Sequence, residues 1–266
     1  MIISVIGAGT IGRAVIESLL SGGFKGKIIA TRRRIDKIMD LTEKGVVVTR
    51  NNIEAARQAD IIILCVKPGD VKNVLSEISS EVDGKLVISF AAAVPLKYLK
   101  KIAPKARFIR VMPNIALLIQ ESFTVYCCGS DIKPEDKNIA SKLFSMMGAI
   151  AEVDEKHMDA ITGLSGSGPA YVAIVIESLM YAGLKVGLPR DLALESSIYT
   201  VLGTAKLALK TSKHIAELKD MVITPGGVTI EGIYELEDSR IRTAIMRAVE
   251  AATLKSGKIT EILEKS

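Results

Sequence analysis

The first half of the chain alternates short apolar, mostly β-branched runs with stretches of helical periodicity. The run Asp60–Val66 is apolar on both faces, whereas a strand with one face in water alternates polar and apolar residues. Helical stretches between such strands indicate βαβ units. The pattern predicts an α/β domain over residues 1–154 with a mostly parallel sheet covered on both sides. Its strands are expected at 2–6, 27–30, 46–48, 60–66, 86–89, 107–111, 123–128 and 149–153, and the direction of the last two stays open.

From residue 155 to residue 266 the strand signal ends and the pattern predicts only helices. They are expected at 169–186, 189–209, 225–237 and 241–263, and three of the four begin with proline, which suits the first helical position. The segment Ala170–Ile176 is apolar all round, so it has to be buried on every side. Such a helix belongs either to a compact bundle or to a core between subunits.

The segment Gly7–Gly12 is a complete G-x-G-x-x-G that directly follows the first strand and opens a helix. That context indicates a dinucleotide site. Gly7 would make the tight turn, Gly9 would let the backbone approach a pyrophosphate, and Gly12 would let helix and strand pack closely. The N–H groups of Thr10 and Ile11, at the positive end of the helix dipole, would face the phosphates. A glycine turn without a ligand is the alternative.

The cofactor preference is read from the end of the second strand. A carboxylate that bonds the ribose hydroxyls of NAD is expected about 20 residues after the glycines. Arg32 and Arg33 follow the strand there instead. Guanidinium groups bind a 2′-phosphate well, so the sequence predicts NADPH, with NADH possible. The alternative is a solvated basic run.

Other candidate cofactor contacts lie where later strands end, because ligands of open parallel sheets bind at the carboxyl ends of the strands. Lys67 and Pro68 follow the fourth predicted strand, the small residues Ala91 and Ala92 follow the fifth, and Asn114 follows the sixth. Small side chains would let a flat ring approach. A solvated lysine and an ordinary turn asparagine are the alternatives for Lys67 and Asn114.

A second anion site is predicted in the helical half. Pro225 is expected to start a helix, and Gly226 and Gly227 leave its first N–H groups unobstructed. Thr224 and Thr229 add hydroxyl groups on either side of them. A helix N-terminus of this kind binds a small carboxylate. A plain helix start is the alternative.

Composition excludes several classes of function and partner. Aromatic residues make up 4% and Trp is absent, and the net charge of +5 is spread along the chain, so we expect no nucleic-acid partner. Three cysteines without framework spacing and two histidines indicate a reducing compartment and no metal site. Neither a signal peptide nor an apolar run of about 18 residues is recognised, so we expect a cytoplasmic protein without membrane contact.

Taken in order, five motifs resemble those of the pyrroline-5-carboxylate reductase family along essentially the whole chain. They are Gly7–Gly12, Val66–Pro68, Arg110–Asn114, Asp159–Tyr171 and Thr224–Ile230. The resemblance implies a Rossmann-type doubly wound, mostly parallel sheet followed by an all-helical dimerisation domain. It implies reduction of 1-pyrroline-5-carboxylate to L-proline with NAD(P)H, in a homodimer or a larger assembly such as a decamer.

The resemblance also implies residue roles. Asn52, Lys67, Pro68, Ala91 and Ala92 would lie against the cofactor. The substrate carboxylate would be held by a loop from the partner subunit, and Thr229 would donate the proton to the imine nitrogen. The residues of that loop would be Thr224, Gly227, Val228 and Thr229.

The chain departs from the family pattern after Asn114, where Ile115-Ala116 replaces the usual Thr-Pro. Two other functions stay open at this point. One is a reductase of the same architecture that acts on another imine or keto acid, and the other is a non-catalytic, NADPH-binding sensor dimer. Purely from the residues, the carboxylate site argues against the sensor, which has no need for a second anion site.

Overall fold

An eight-stranded sheet lies at the centre of the first of two compact units, which comprises Met1–Ser167 and the chain from Val249 onward. The computed structural model describes residues 1–265. The strands are β1 (Ile2–Ile6), β2 (Lys27–Thr31), β3 (Val47–Thr49), β4 (Ile61–Leu64), β5 (Leu86–Ser89), β6 (Arg107–Met112), β7 (Ser122–Cys128) and β8 (Gly148–Glu152). Their order in space is β3-β2-β1-β4-β5-β6-β7-β8, and only the β6–β7 pairing is antiparallel. The predicted doubly wound, mostly parallel sheet is therefore confirmed.

Successive residues of the central strands enter two separate apolar clusters, one on each face of the sheet. Ile61 and Ile63 belong to one cluster, and Ile62 and Leu64 belong to the other. Because successive side chains of a strand point to opposite faces, both faces of β4 are buried. This explains why the strand sequence has no polar alternation.

The helices of the chain, including short ones that the sequence pattern does not reveal, connect and cover these strands. They are α1 (Thr10–Ser21), α2 (Asn52–Gln58), α3 (Val71–Glu77), α4 (Leu96–Ile102), α5 (Pro134–Ser145), α6 (Met158–Ile161), α7 (Gly168–Lys185), α8 (Arg190–Thr211), α9 (Ile215–Asp220), α10 (Val228–Asp238) and α11 (Ile241–Lys265). Helices α1 and α5 supply apolar residues to one cluster, and α2, α3 and α4 supply them to the other.

A π-helical turn, Thr162–Gly166, follows α6. Its glycines are explained by packing. A Cβ on Gly163 would overlap Thr253 of α11, and a Cβ on Gly166 would overlap the side chain of Met112. The glycines of this turn therefore allow close packing against Thr253 and Met112.

The second compact unit, Gly168–Ala248, contains only helices. Helices α7 and α8 pack closely, since a Cβ on Gly183 would lie 2.8 Å from the Cβ of Ala193. The contact-based division falls after Ser167 and assigns the chain from Val249 onward to the first unit. It differs from the predicted division after residue 154, which rests on where the strand pattern ends.

Helix α7 has apolar residues that no part of residues 1–265 covers. Val172 is 44% exposed and Ile174 is 61% exposed, although the sequence predicts burial on every side. The helical stretch Glu155–Lys185 is long and apolar enough to cross a membrane by length and composition alone, although no apolar run of about 18 residues is recognised in the sequence. A helix that is apolar all round and open in a single chain needs another apolar surface.

Candidate active site

The residues predicted to bind the cofactor lie along one edge of the sheet. Ile6 pairs with Thr31 of β2 and with Leu64 of β4, and Leu64 pairs with Ser89 of β5. The four strands therefore end level with one another. The segments that follow them contain every predicted cofactor residue except Asn52 and Asn114. In a sheet of this order, the crevice at the carboxyl ends of β1 and β4 is where dinucleotides bind.

The turn after β1 needs glycine at two positions. Gly7 has a φ of +91°, and a Cβ there would lie 2.6 Å from Cγ1 of Val66. A Cβ on Gly12 would lie 2.5 Å from the carbonyl oxygen of Gly7 and 3.1 Å from the Cβ of Cys65. These contacts let α1 start directly against β1 and β4, as the motif predicts.

Gly9 differs because nothing in the protein requires it to be glycine. It is extended and precedes α1, and a Cβ there would meet only the oxygen of Gly7, at 4.0 Å. The space beside its backbone is therefore open to a group from outside. The N–H groups of Thr10 and Ile11 lie in the first helical turn, where no intrahelical acceptor exists. This surface fits a pyrophosphate.

The two arginines after β2 are in different environments. Arg32 is half-buried and donates from Nη1 to the carbonyl oxygen of Ala8, 3.2 Å away, so it lies beside the glycine turn. The side chain of Arg33 is 92% exposed and lies 3.4 Å from the carboxylate of Asp70. Both guanidinium groups are at the edge where a 2′-phosphate is expected, and Arg33 has a competing carboxylate.

Asn52 begins α2 and reaches the end of β2. Its Oδ1 accepts a hydrogen bond of 2.6 Å from the hydroxyl of Thr31, and its Nδ2 donates to Glu77 at 2.9 Å. The carbonyl oxygen of Thr31 in turn accepts the N–H groups of Gly7 and Ala8, at 3.2 and 2.8 Å. Asn52 thus supports the glycine turn as well as lying near it.

Lys67 follows β4 on an extended backbone, and Pro68 opens a single turn of 3-10 helix. The Lys67 side chain is exposed. Ala91 is buried at 2% exposure and Ala92 is half-buried, in the loop that connects β5 to α4. Their contact with a cofactor stays a prediction.

Asn114 has a structural task in this fold. Its Oδ1 accepts the N–H of Ala116 at 3.1 Å, which caps the 3-10 helix Ile115–Ile119, and its Nδ2 lies 3.4 Å from the hydroxyl of Ser165. The alternative interpretation of Asn114 as a turn residue therefore has direct support. The unusual pair Ile115-Ala116 forms the start of that capped turn.

The predicted carboxylate loop lies in the second unit, and its helix begins later than expected. Helix α10 starts at Val228 and not at Pro225, because Gly226 has a φ of +67° and Gly227 is extended before the first turn. The N–H of Gly227 donates to the carbonyl oxygen of Thr224 at 3.0 Å. The first-turn N–H groups consequently include those of Val228 and Thr229, both in the predicted substrate set.

Sequence reasoning missed a charged cluster behind the sheet edge. Arg110 on β6 is 2% exposed and lies 3.2 Å from Glu155 and 3.4 Å from Asp159. Asp159 also accepts hydrogen bonds from Ser256 at 2.7 Å and from Thr260 at 3.0 Å. The signal was an arginine with apolar neighbours on both sides inside a strand, since a buried charge requires a partner.

The cysteines do not provide a nucleophile. Burial raises the pKa of Cys127 to about 12 and the pKa of Cys128 to about 11, and it raises the pKa of Cys65 as well. All three are free thiols. Among residues 1–265, no group of three or more His, Cys, Asp or Glu side chains could hold a metal ion.

Comparison with known proteins decides the family. The profile for pyrroline-5-carboxylate reductase dimerisation matches residues 155–259, and that for coenzyme F420-dependent NADP oxidoreductases matches residues 2–93. A pyrroline-5-carboxylate reductase of Methanosarcina acetivorans is 41% identical over 267 residues, which is 97% of both chains. This chain belongs to the pyrroline-5-carboxylate reductase family.

Two further family members extend the comparison. The reductase of Glycine max is 45% identical over 217 residues, covering 81% of this chain and 79% of its own. The crystal structure of the Plasmodium falciparum pyrroline carboxylate reductase with NADP bound has a TM-score of 0.90 and 31% identity, with 97% of each chain covered. The dimerisation profile begins at residue 155, where the strand pattern of this sequence ends.

Proposed function

We propose that this chain reduces 1-pyrroline-5-carboxylate to L-proline with NADPH as the preferred hydride donor, and that NADH can replace it. The open backbone at Gly9, above a helix start with free N–H groups, carries the proposal for the cofactor. Membership of the pyrroline-5-carboxylate reductase family supports the substrate and the reaction at a C=N bond.

The residues at the sheet edge would hold the cofactor. When bound, NADPH supplies a hydride to the imine carbon. The N–H groups of Thr10 and Ile11 bind phosphate oxygens, and Gly9 lets the pyrophosphate approach the backbone. Lys67, Pro68, Ala91 and Ala92 complete the contacts, together with Gly7, Gly12, Asn52 and Asn114.

Arg32 and Arg33 determine the preference for NADPH. Two guanidinium groups at the end of β2 form charge-assisted hydrogen bonds to a 2′-phosphate. Folds of this type that select for NAD have an acidic residue after the second strand. This chain has Arg32 and Arg33 there instead. Arg32 has the stronger position because its Nη1 is already held beside the glycine turn by Ala8.

The loop before α10 would hold the substrate carboxylate. The N–H groups of Val228 and Thr229 and the hydroxyl of Thr224 act as donors to it, beside Gly227, whose own N–H is bonded to the carbonyl oxygen of Thr224. The hydroxyl of Thr229 donates a hydrogen bond to the imine nitrogen and is the proposed proton donor. Reduction of a cyclic iminium requires positioning more than strong acid or base groups, so the lack of a histidine or carboxylate pair among these residues is consistent with the reaction.

Self-association completes the site in this proposal. The protein forms a homodimer or a larger assembly such as a decamer, and the partner subunit supplies the carboxylate loop. The exposed apolar residues of α7, such as Val172 and Ile174, then lie in a core between the subunits and not in a membrane. The domain division at 154/155, a cytoplasmic location and the absence of nucleic-acid and membrane partners belong to the same proposal.

The decisive experiment is an NADPH-consumption assay with 1-pyrroline-5-carboxylate, with proline identified as the product. Pyruvate and succinate semialdehyde serve as comparison substrates. Preference for one of them would replace the proposed substrate. Tight NADPH binding without turnover on any cyclic imine would favour a non-catalytic sensor.

A further inference from the structure

Two carboxylates from neighbouring segments converge on the buried guanidinium of Arg110. Nη1 of Arg110 lies 3.2 Å from Oε1 of Glu155, and Nη2 lies 3.4 Å from Oδ1 of Asp159. Arg110 is 2% exposed, and a buried charge destabilises the fold unless it is paired, so its guanidinium requires these carboxylates. Both carboxylates are therefore held in fixed positions behind the sheet.

Each carboxylate is also connected to the loop between β5 and α4, which contains Ala91 and Ala92. Glu155 accepts the N–H of Leu96, the first residue of α4, at 2.7 Å. Asp159 lies 3.0 Å from the hydroxyl of Thr260 on α11, and the same hydroxyl lies 3.2 Å from the carbonyl oxygen of Ala93. The hydroxyl of Thr260 therefore lies within hydrogen-bond distance of both a carboxylate and the middle of the loop.

The loop needs such a contact because of its backbone. Ala93 has a φ of +58° and is 3% exposed. A left-handed conformation at a residue with a Cβ persists only where the surrounding structure imposes it. The start of the loop is fixed by the N–H of Phe90, which donates to the carbonyl oxygen of Leu64 at 2.9 Å, and its end is fixed by Glu155. The hydroxyl of Thr260 contacts Ala93, which lies between these two fixed ends.

We propose that Thr260 is a positioning residue for the cofactor: it fixes the left-handed turn at Ala93 and thereby the surface that Ala91 and Ala92 present to the nicotinamide cofactor. This inference rests on the proposed function, which places those two alanines against the cofactor. Thr260 acts through the loop and touches no reacting atom.

Three variants of the full-length protein test the role of Thr260. Thr260→Val removes the hydroxyl and keeps the branched shape, whereas Thr260→Ser keeps the hydroxyl. Ser256→Ala is the matched control, because Ser256 donates to the same oxygen of Asp159 at 2.7 Å and is not part of the contact with Ala93. If the valine variant does not fold, Thr260→Ala provides the same test. For each protein the Kd for NADPH, the kcat and KM values, the melting temperature and amide exchange over residues 90–96 are measured.

We expect Thr260→Val to raise the Kd for NADPH about three- to tenfold, the effect of losing one hydrogen bond, and to speed exchange in the loop. Thr260→Ser should stay close to the wild type. Ser256→Ala should lower the melting temperature with little change in the Kd.

Other outcomes separate this inference from the proposed function. An unchanged Kd in Thr260→Val, or an equal rise in Ser256→Ala, would overturn the role of Thr260, even if loop exchange became faster. A wild-type protein that binds NADPH but does not reduce 1-pyrroline-5-carboxylate would overturn the proposed reaction alone, and the Kd values would still decide the role of Thr260. A wild-type protein that binds no NADPH would overturn both.

Discussion

The carbonyl oxygen of Gly7 lies 2.5 Å from the position that a Cβ on Gly12 would occupy. A side chain at residue 12 therefore has to displace the backbone of the turn or the start of α1. Gly9, three residues earlier, has only that same oxygen near its own Cβ position, at 4.0 Å. The fold therefore requires glycine at residue 12, whereas at residue 9 we propose that it serves the approach of a ligand.

We expect Gly12→Ala to lower both stability and cofactor affinity, and Gly9→Ala to lower affinity alone. The overlap at residue 12 should cost about 1–3 kcal/mol of unfolding free energy. At residue 9, where the backbone is extended and the space is open, the loss should stay within about 0.5 kcal/mol. Thermal melting and NADPH titration of both variants check this. A Gly9→Ala protein with wild-type affinity would show that the pyrophosphate does not approach the backbone there.

Cofactor preference is expected to depend on Arg32. Removing a charge-assisted hydrogen bond to the 2′-phosphate in Arg32→Ala should weaken NADPH binding about tenfold or more and leave NADH binding nearly unchanged. The effect should shrink as ionic strength rises, because salt screens exposed charges. Titrations with both cofactors at low and high salt measure it.

Arg34→Ala is the matched control for Arg32→Ala, since Arg34 is exposed and lies further from the end of β2. Arg33→Ala should have a smaller effect than Arg32→Ala, because Asp70 competes for its guanidinium. Equal losses in NADPH and NADH affinity would contradict a role of Arg32 at the 2′-phosphate.

The sequence predicted the sheet and the glycine turn well because both depend on short-range signals. Ile61–Leu64 showed two-sided burial through the lack of polar residues, and Gly7 and Gly12 showed close packing through their spacing. The start of α10 was predicted three residues too early, because Pro225 suits a first turn and nothing local shows that Gly226 adopts a positive φ. The exposure of α7 was not predicted, because an apolar helix has the same sequence pattern whether its own chain or another surface covers it.

The Arg110 cluster was missed for a different reason. The partners of Arg110 lie 45 to 150 positions after it in the chain. They are Glu155, Asp159, Ser256 and Thr260. Only the tertiary fold brings them to one side of β6. A buried arginine indicates that charged or polar partners exist, but the amino-acid sequence alone does not identify them.

A pH dependence of stability is expected from Arg107 and Asp136. Nε and Nη2 of Arg107 donate to the two carboxylate oxygens of Asp136 at 2.6 and 2.9 Å. This pair lowers the pKa of Asp136 below its usual value. Because the folded pKa lies below the unfolded one, the stabilisation is complete above the unfolded pKa of about 3.9 and is lost as the pH falls through the folded pKa.

Asp136→Asn should therefore lower the unfolding free energy by about 2 kcal/mol at neutral pH, with the difference from wild type shrinking below about pH 4. Denaturant unfolding at one fixed protein concentration, repeated across pH, measures this. Asp83→Asn, at an exposed pair with Lys105, is the control and should change little. A difference that is constant with pH would exclude the ion pair as its cause.

Ser4 is expected to destabilise the sheet. Its hydroxyl is fully buried in β1 and has no hydrogen-bond partner among the described residues. Removing an unpaired buried hydroxyl in Ser4→Ala should raise the unfolding free energy by about 1 kcal/mol. Ser89→Ala in β5 is the matched control, because Ser89 is equally buried but its hydroxyl lies 3.4 Å from the N–H of Ala91. Loss of stability in the Ser4 variant would indicate a partner such as a buried water.

Catalysis is expected to depend on the hydroxyl of Thr229 at the start of α10. Thr229→Val keeps the shape of the side chain and removes its donor, so kcat should fall about tenfold if the hydroxyl contacts the imine nitrogen in the transition state. Thr229→Ser should retain most of the activity. Thr224→Val is the comparison: its hydroxyl is proposed to bind the carboxylate, so that variant should mainly raise KM for 1-pyrroline-5-carboxylate. Steady-state kinetics at saturating NADPH separate the two effects. If kcat and KM of Thr229→Val both matched the wild type, Thr229 would be removed from the mechanism, and the proton would have to come from water or from an imine that is already protonated when it binds.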